Sequence, residues 1–132
     1  MIAQGLFCPT LPTSDMVRSR GFYEEALGLR ELSAAPEGGA WYETGGASLL
    51  HVYESTAGPG KHTAVTILIE DFEETIADLR SRGVVLEDYD LPGLKTEHGV
   101  FRSDSGFLSA WIKDPDGNLL GLESHPRRSR GG

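Results

Sequence analysis

The sequence predicts an α+β fold of two βαβββ modules, each with one helix packed on its sheet, and three observations predict it. The order strand, helix, strand, strand, strand runs through the chain twice. The spacing repeats too: Cys8 precedes Asp15 by the interval that separates Ala64 from Asp71, and Leu49-Leu50-His51-Val52 recurs as Leu119-Leu120-Gly121-Leu122. Third, the stretch from Trp111 to Leu120 reads as a β-hairpin. In it Pro115 presets φ, Asp114 bonds back to the turn amides, and Gly117 takes the left-handed conformation that closes the turn.

Each element has a local reason. Ile2 to Cys8 is the expected first strand, and Pro9 to Pro12 prevents an early helix. A helix from Asp15 to Leu27 follows the cap Ser14, carries Met16, Phe22, Tyr23, Ala26 and Leu27 as its apolar stripe, and stops at Gly28. Strands are expected over Leu29 to Ser33, Ala40 to Thr44 and Ala47 to Tyr53, and Glu54 to Lys61 reads as a linker. Thr63 to Ile69 is a strand, Asp71 to Arg82 a helix burying Phe72, Ile76 and Leu79, and Gly83 its terminator. Val84 to Asp90, Phe107 to Lys113 and Asn118 to Glu123 complete the second set of strands. Alternation then turns Val65, Ile67 and Ile69 toward the helix and His62, Ala64, Thr66 and Leu68 toward an open cleft. The expected organisation is one domain over residues 1–124, with modules at about 2–54 and 62–124, and a polar, flexible tail over 125–132.

Composition narrows the function classes. At 132 residues and 39% hydrophobic content the chain suits one sizeable core. A formal charge of -8 opposes nonspecific binding to nucleic acid or to an anionic membrane, and favours a small-molecule or protein partner. The lone Cys8 forms no internal disulfide, the N-terminus lacks a signal-peptide pattern, and no apolar run nears the ~20 residues of a membrane span, so the expected location is cytoplasmic. A phosphate-cradling loop, a zinc-type cysteine pair, an HExxH helix and a nucleophile elbow are all missing.

Three motifs carry a family resemblance. Phe22-Tyr23 with Leu27-Gly28-Leu29, the helix end Leu79-Arg80-Ser81-Arg82-Gly83, and Trp111-Ile112-Lys113-Asp114-Pro115-Asp116-Gly117-Asn118 together resemble the vicinal oxygen chelate superfamily over about residues 2 to 124. That group includes glyoxalase I, extradiol dioxygenases, fosfomycin resistance enzymes and bleomycin resistance proteins. The resemblance implies two modules pairing into a cup-shaped mixed sheet, a ligand cavity in each cup, and assembly as a homodimer. Its metal-dependent members place ligands on the first and last strands of each module, and by spacing those positions are Cys8, His51, Ala64 and Gly121. Alanine and glycine ligate nothing, and an open catalytic metal needs about three protein donors. A displaced set would have to recruit His62, so no metal cofactor is expected.

The candidate site residues follow from strand parity and chemistry. His51 is either a hydrogen-bonded pocket histidine or a proton-transfer group, with Tyr53 or Glu123 as its helper. Cys8 reads as a small buried hydrophobe, because no neighbouring cation in the sequence activates it. Trp41, Tyr42, Tyr53, Phe101, Phe107 and Trp111 are a large aromatic supply, from which Trp41, Tyr53 and Trp111 are expected as pocket walls. Cys8, His62, Thr66 and Glu123 complete the expected ligand contacts, while His98 is a loop residue, solvated or part of a lid. The acidic run Glu70-Asp71-Glu73-Glu74 suits a helix N-terminus rather than a cation. The first reading is a metal-free binder of a small hydrophobic or aromatic molecule. A cofactor-free isomerase or lyase using His51 is the alternative, and a metal-dependent glyoxalase or dioxygenase ranks last.

Overall fold

The structure is a computed structural model that describes residues 1, 3, 8–34, 39–55, 58, 60 and 62–124. Among the described residues ten strands and two α-helices follow in the order β1 Thr10–Thr13, α1 Met16–Arg20, β2 Arg30–Ala34, β3 Ala40–Glu43, β4 Leu49–Glu54, β5 Thr63–Ile69, α2 Phe72–Ser81, β6 Asp90–Leu91, β7 Leu94–Lys95, β8 Val100–Arg102, β9 Leu108–Lys113 and β10 Leu119–Ser124. They form two four-stranded sheets, β1-β4-β3-β2 and β5-β10-β9-β8, and a small β6-β7 ribbon. The fold is therefore mixed α+β, with the same strand order in both sheets. No helix among the described residues is long and apolar enough to cross a membrane.

The chain divides into two compact units. The first runs to Ala64 and also takes in the turn Asp114–Asn118; the second covers Val65–Lys113 and resumes at Leu119. In the first unit the core lies on one face of the sheet, where Leu11, Tyr23, Ala40, Tyr42, Leu50 and Val52 are buried. The intervening residues Trp41 and His51 are only half-buried, as period-two alternation requires. In the second unit Phe72, Ile76 and Leu79 of α2 are buried, as are Ala110, Ile112, Leu120 and Leu122.

The helix after β1 is not uniform. Asp15 caps it by accepting the Arg18 N–H at 3.1 Å. After Arg20 the coil widens into a π-helix over Gly21–Ala26, where Leu27 N–H reaches Phe22 O five residues back. The wide turn carries Tyr23 into the core, where it is 0% exposed.

Several boundaries differ from expectation. Of the strand expected over Ile2–Cys8, residues 2 and 4–7 lie outside the described residues, and the described first strand is Thr10–Thr13, with Pro12 inside it. A proline fits because β1 stands at the end of the sheet order among the described residues, where a missing N–H costs no ladder bond on the outer side. The expected strand Val84–Asp90 is not a strand of the second sheet: it contributes one bridge, Leu86 to Ile112, and the fourth strand is β8 instead. Glu87 N–H donates to Trp111 O of β9 beside that bridge, and other backbone groups of the segment are taken elsewhere. Val84 N–H bonds Leu79 O at the end of α2, and Tyr89 N–H bonds the Thr96 hydroxyl. On β5, Val65 and Ile69 are half-buried as their parity predicts, yet Ile67 is 36% exposed, and Ala64, Thr66 and Leu68 are exposed too. The tail over 125–132 lies outside the described residues.

Candidate functional site

The face of the first sheet opposite the core is an aromatic surface. In β3 and β4, Trp41 pairs with His51 in register, so both side chains rise from the same face. The indole and imidazole stack at 4.1 Å between centroids and 6° between planes. Tyr53, two residues along β4 and 36% exposed, extends the row with its ring 5.9 Å from His51 and tilted by 31°. Thr10 of β1 pairs with His51 from the other side, and His51 N–H donates to Pro9 O at 2.9 Å. Among the described residues no hydrogen bond engages either imidazole nitrogen, so His51 is held by stacking and by its backbone.

Cys8 lies at the edge of this row. Burial pushes its thiol pKa up, partly offset by the backbone N–H of His51 beside it, and the thiol donates to Pro9 O at 3.4 Å. A half-buried thiol with a raised pKa is a poor nucleophile.

Gly39 is the site residue that the sequence reading missed. A Cβ there would stand 2.8 Å from Val52 O and 2.9 Å from His51 Nε2, so the missing side chain is what admits the imidazole. A glycine at the mouth of a strand often marks such a close approach, and Gly39 directly precedes β3.

The remaining expected residues stand elsewhere. His62 is exposed just before β5. Thr66, Trp111 and Glu123 belong to the second unit. There Trp111 pairs with Gly121 just as Trp41 pairs with His51, so the repeat places a tryptophan at the same register point in both sheets. The half-buried Trp111 meets Tyr89 edge to face at 5.5 Å, and Glu123 pairs with Ser109. Tyr42 is a core residue, 0% exposed, whose hydroxyl donates to Glu24 at 3.0 Å.

The donor set does not fit the superfamily's catalytic metal. Two of the four repeat-related positions carry alanine and glycine, and no three His, Cys, Asp or Glu side chains among the described residues converge to hold an ion.

Comparison with known proteins agrees with this architecture. Residues 5–122 match the family model described as the glyoxalase/bleomycin resistance protein/dioxygenase superfamily. Among solved structures, a bleomycin resistance determinant encoded on the transposon Tn5 is 21% identical, with a TM-score of 0.71 over 94% of this chain and 100% of that one. An antibiotic-binding protein from Streptomyces sp. CB03234 is 23% identical, with a TM-score of 0.66 over 95% of this chain and 98% of that one. A putative glyoxalase family protein from Bacillus anthracis is 17% identical, with a TM-score of 0.73 over 92% and 95% of the two chains. At these identities the likeness establishes the fold alone. No curated protein matches the chain.

Proposed function

Because the chain belongs to the glyoxalase/bleomycin resistance protein/dioxygenase superfamily, we propose that it binds a small, flat, hydrophobic or aromatic molecule without a metal, and that Trp41, His51 and Tyr53 form the contact surface. The observation that carries this reading is the stack of His51 on Trp41 at 4.1 Å. It continues toward Tyr53 and leaves an apolar, π-faced wall with few polar groups, which is what a flat ligand requires. Cys8 lines the edge of that wall. In the second unit Thr66, Trp111 and Glu123 are the proposed contacts, and His62 a peripheral one. The structural relatives named for bleomycin resistance and antibiotic binding support a sequestering role.

The partner for assembly is a second copy. β5 stands at one end of the second sheet's strand order, carries no charge over seven residues, and leaves Ile67 and Leu68 at 36% and 49% exposure. An uncharged, β-branched edge that is exposed among the described residues is a liability that a dimer would cover. Light scattering on the purified protein tests this, and a monomer at all concentrations refutes it.

The ligand proposal is tested by titrating the protein with bleomycin and with quinoline while following tryptophan fluorescence, with and without added Mn, Ni or Zn. Saturable quenching that needs no metal, weakened about tenfold in His51→Ala, supports the reading. A requirement for one equivalent of metal overturns it. A turnover assay on whatever co-purifies separates binding from catalysis: if His51→Ala abolishes conversion while leaving affinity unchanged, the histidine moves a proton instead.

A further inference from the structure

A cleft of about 370 Å³ opens within the second unit, beyond the C-terminal end of α2. Its apolar side is Val84, Val85 and Leu86, of which Val85 is 76% exposed, and its polar lip is Arg80, Asp88 and His98. Two features of that lip point to a ligand.

The first is Arg80. Arg18, Arg20, Arg82, Arg102 and Lys113 each meet a carboxylate within 4.0 Å. Arg80, like Arg30 and Lys95, has no such partner among the described residues. It donates from Nη2 to the carbonyl of His98, lines the cleft, and acts electrostatically on the nearby Asp88 carboxylate. In a chain of net charge -8, an arginine without an ion pair is available for an external anion.

The second is His98. Glu97 and Val100 exchange backbone hydrogen bonds around a two-residue turn in which His98 has φ 53° and Gly99 φ 80°. Positive φ at both positions is the type I′ pattern, whose preferred first residue is asparagine. Gly99 is required here twice, by its φ and because a Cβ would come within 2.6 Å of Leu86. Histidine is not required, and a non-glycine side chain in this region costs conformational energy. The surroundings hold it there regardless. Arg80 binds the His98 carbonyl, and Asp88 Oδ1 accepts the next N–H, of Gly99, at 2.8 Å. The same Asp88 oxygen accepts the Thr96 hydroxyl at 2.8 Å, so Oδ1 is committed to the loop, while the exposed carboxylate keeps its charge near His98 and Arg80.

We propose that this cleft is a second ligand site, which takes a small organic oxyanion with a short apolar body. The oxyanion would lie on the Arg80 guanidinium beside the His98 imidazole, in competition with the Asp88 carboxylate, and the body along Val84, Val85 and Leu86. An oxygen pair suits the fork geometry, as either a carboxylate or a phosphate monoester.

The test is an amide NMR titration of the full chain with phenylacetate and phenyl phosphate, against benzylamine and benzyl alcohol as charge controls. The expected result is a millimolar dissociation constant for one or both anions, with shifts confined to residues 80, 84–88 and 98–99. The two anions separate carboxylate from phosphate recognition. Arg80→Gln should weaken binding at least about fivefold with the fold intact, since loss of a charged bidentate donor exceeds 1 kcal/mol. His98→Asn should weaken it severalfold while leaving thermal stability equal or higher, because asparagine suits the turn. No shift at about 50 mM anion, at the weak end of measurable affinity, overturns the proposal. So does benzylamine binding as tightly as phenylacetate, or unchanged affinity in either variant.

Discussion

The Tyr23 hydroxyl donates to Asp114 Oδ2 at 2.7 Å, joining residues 91 positions apart with both side chains buried. Each residue comes from a different family motif: the Phe22-Tyr23 pair of the first helix and the Asp-Pro-Asp-Gly-Asn turn of the last hairpin. Asp114 also accepts the N–H groups of Asp116 and Asn118 through Oδ1 and the Asn118 side-chain amide through Oδ2. Asn118 in turn donates to Pro12 O at 2.9 Å. The diagnostic turn is thus a buried polar lock within the first unit.

Tyr23→Phe removes one donor from a buried carboxylate and fills nothing in return. A loss of about 1.5–3 kcal/mol is expected, because hydrogen bonds to charged groups lie in that range. Urea denaturation measures it, and a loss below about 0.5 kcal/mol would show that the lock is not stabilising.

High pH should unfold the protein through the same residue. Burial, the Asp114 charge and hydrogen bond, then Asp116 and Tyr42, push the Tyr23 pKa far above its ordinary value. Burial and the Glu24 hydrogen bond raise Tyr42 as well. A tyrosine whose folded pKa is raised keeps its stabilising contribution below the unfolded value of about 10 and loses it above that. Stability should therefore hold through neutral pH and fall above about pH 10, by about 1.4 kcal/mol per pH unit for Tyr23. Urea midpoints against pH test this, and Tyr23→Phe should flatten the alkaline limb.

Acid acts on the neighbouring carboxylate with the opposite sign. Burial works against the Asp116 charge, but the Ser14 N–H, the Thr13 and Ser14 hydroxyls and the Arg18 guanidinium outweigh it and hold the pKa below the usual range. The stabilisation is present above the unfolded value of about 4 and is lost as pH falls below it. Asp116→Asn should be less stable than the parent at neutral pH and converge with it in acid. A constant gap across that range would place the effect elsewhere.

Gly39→Ala tests the aromatic wall from the backbone beside it. The new Cβ meets a backbone oxygen of β4 at 2.8 Å and the His51 ring at 2.9 Å. Relieving both contacts requires β3 and β4 to separate locally and the imidazole to shift from its place on Trp41. The expected result is a destabilisation of about 1–3 kcal/mol, altered near-ultraviolet dichroism, and weaker binding of flat ligands. Unchanged dichroism would mean that the stack tolerates the methyl group.

Particular residues show what was legible in the sequence. The repeat was, because Trp41 and Trp111, and likewise His51 and Gly121, do occupy matching register positions. The strand Thr63–Ile69 and the helix after Asp71 were, because period-two and period-3.6 patterns there are long and bounded by turn residues. Val84–Asp90 was misread as a strand because an apolar run reports burial but not which backbone groups it pairs with. The three residues of β8 carried too little pattern to be seen.

The sequence by itself determined the fold class, the two-module order and the hairpin turn, all of which rest on local stereochemistry or residue type. Only the tertiary structure decided that Asp114 bonds to Tyr23, that His51 lies flat on Trp41 over Gly39, and that Arg80 reaches His98. Those contacts depend on how chain segments meet in space. A residue's type states which bonds it can make; packing selects which ones it does make.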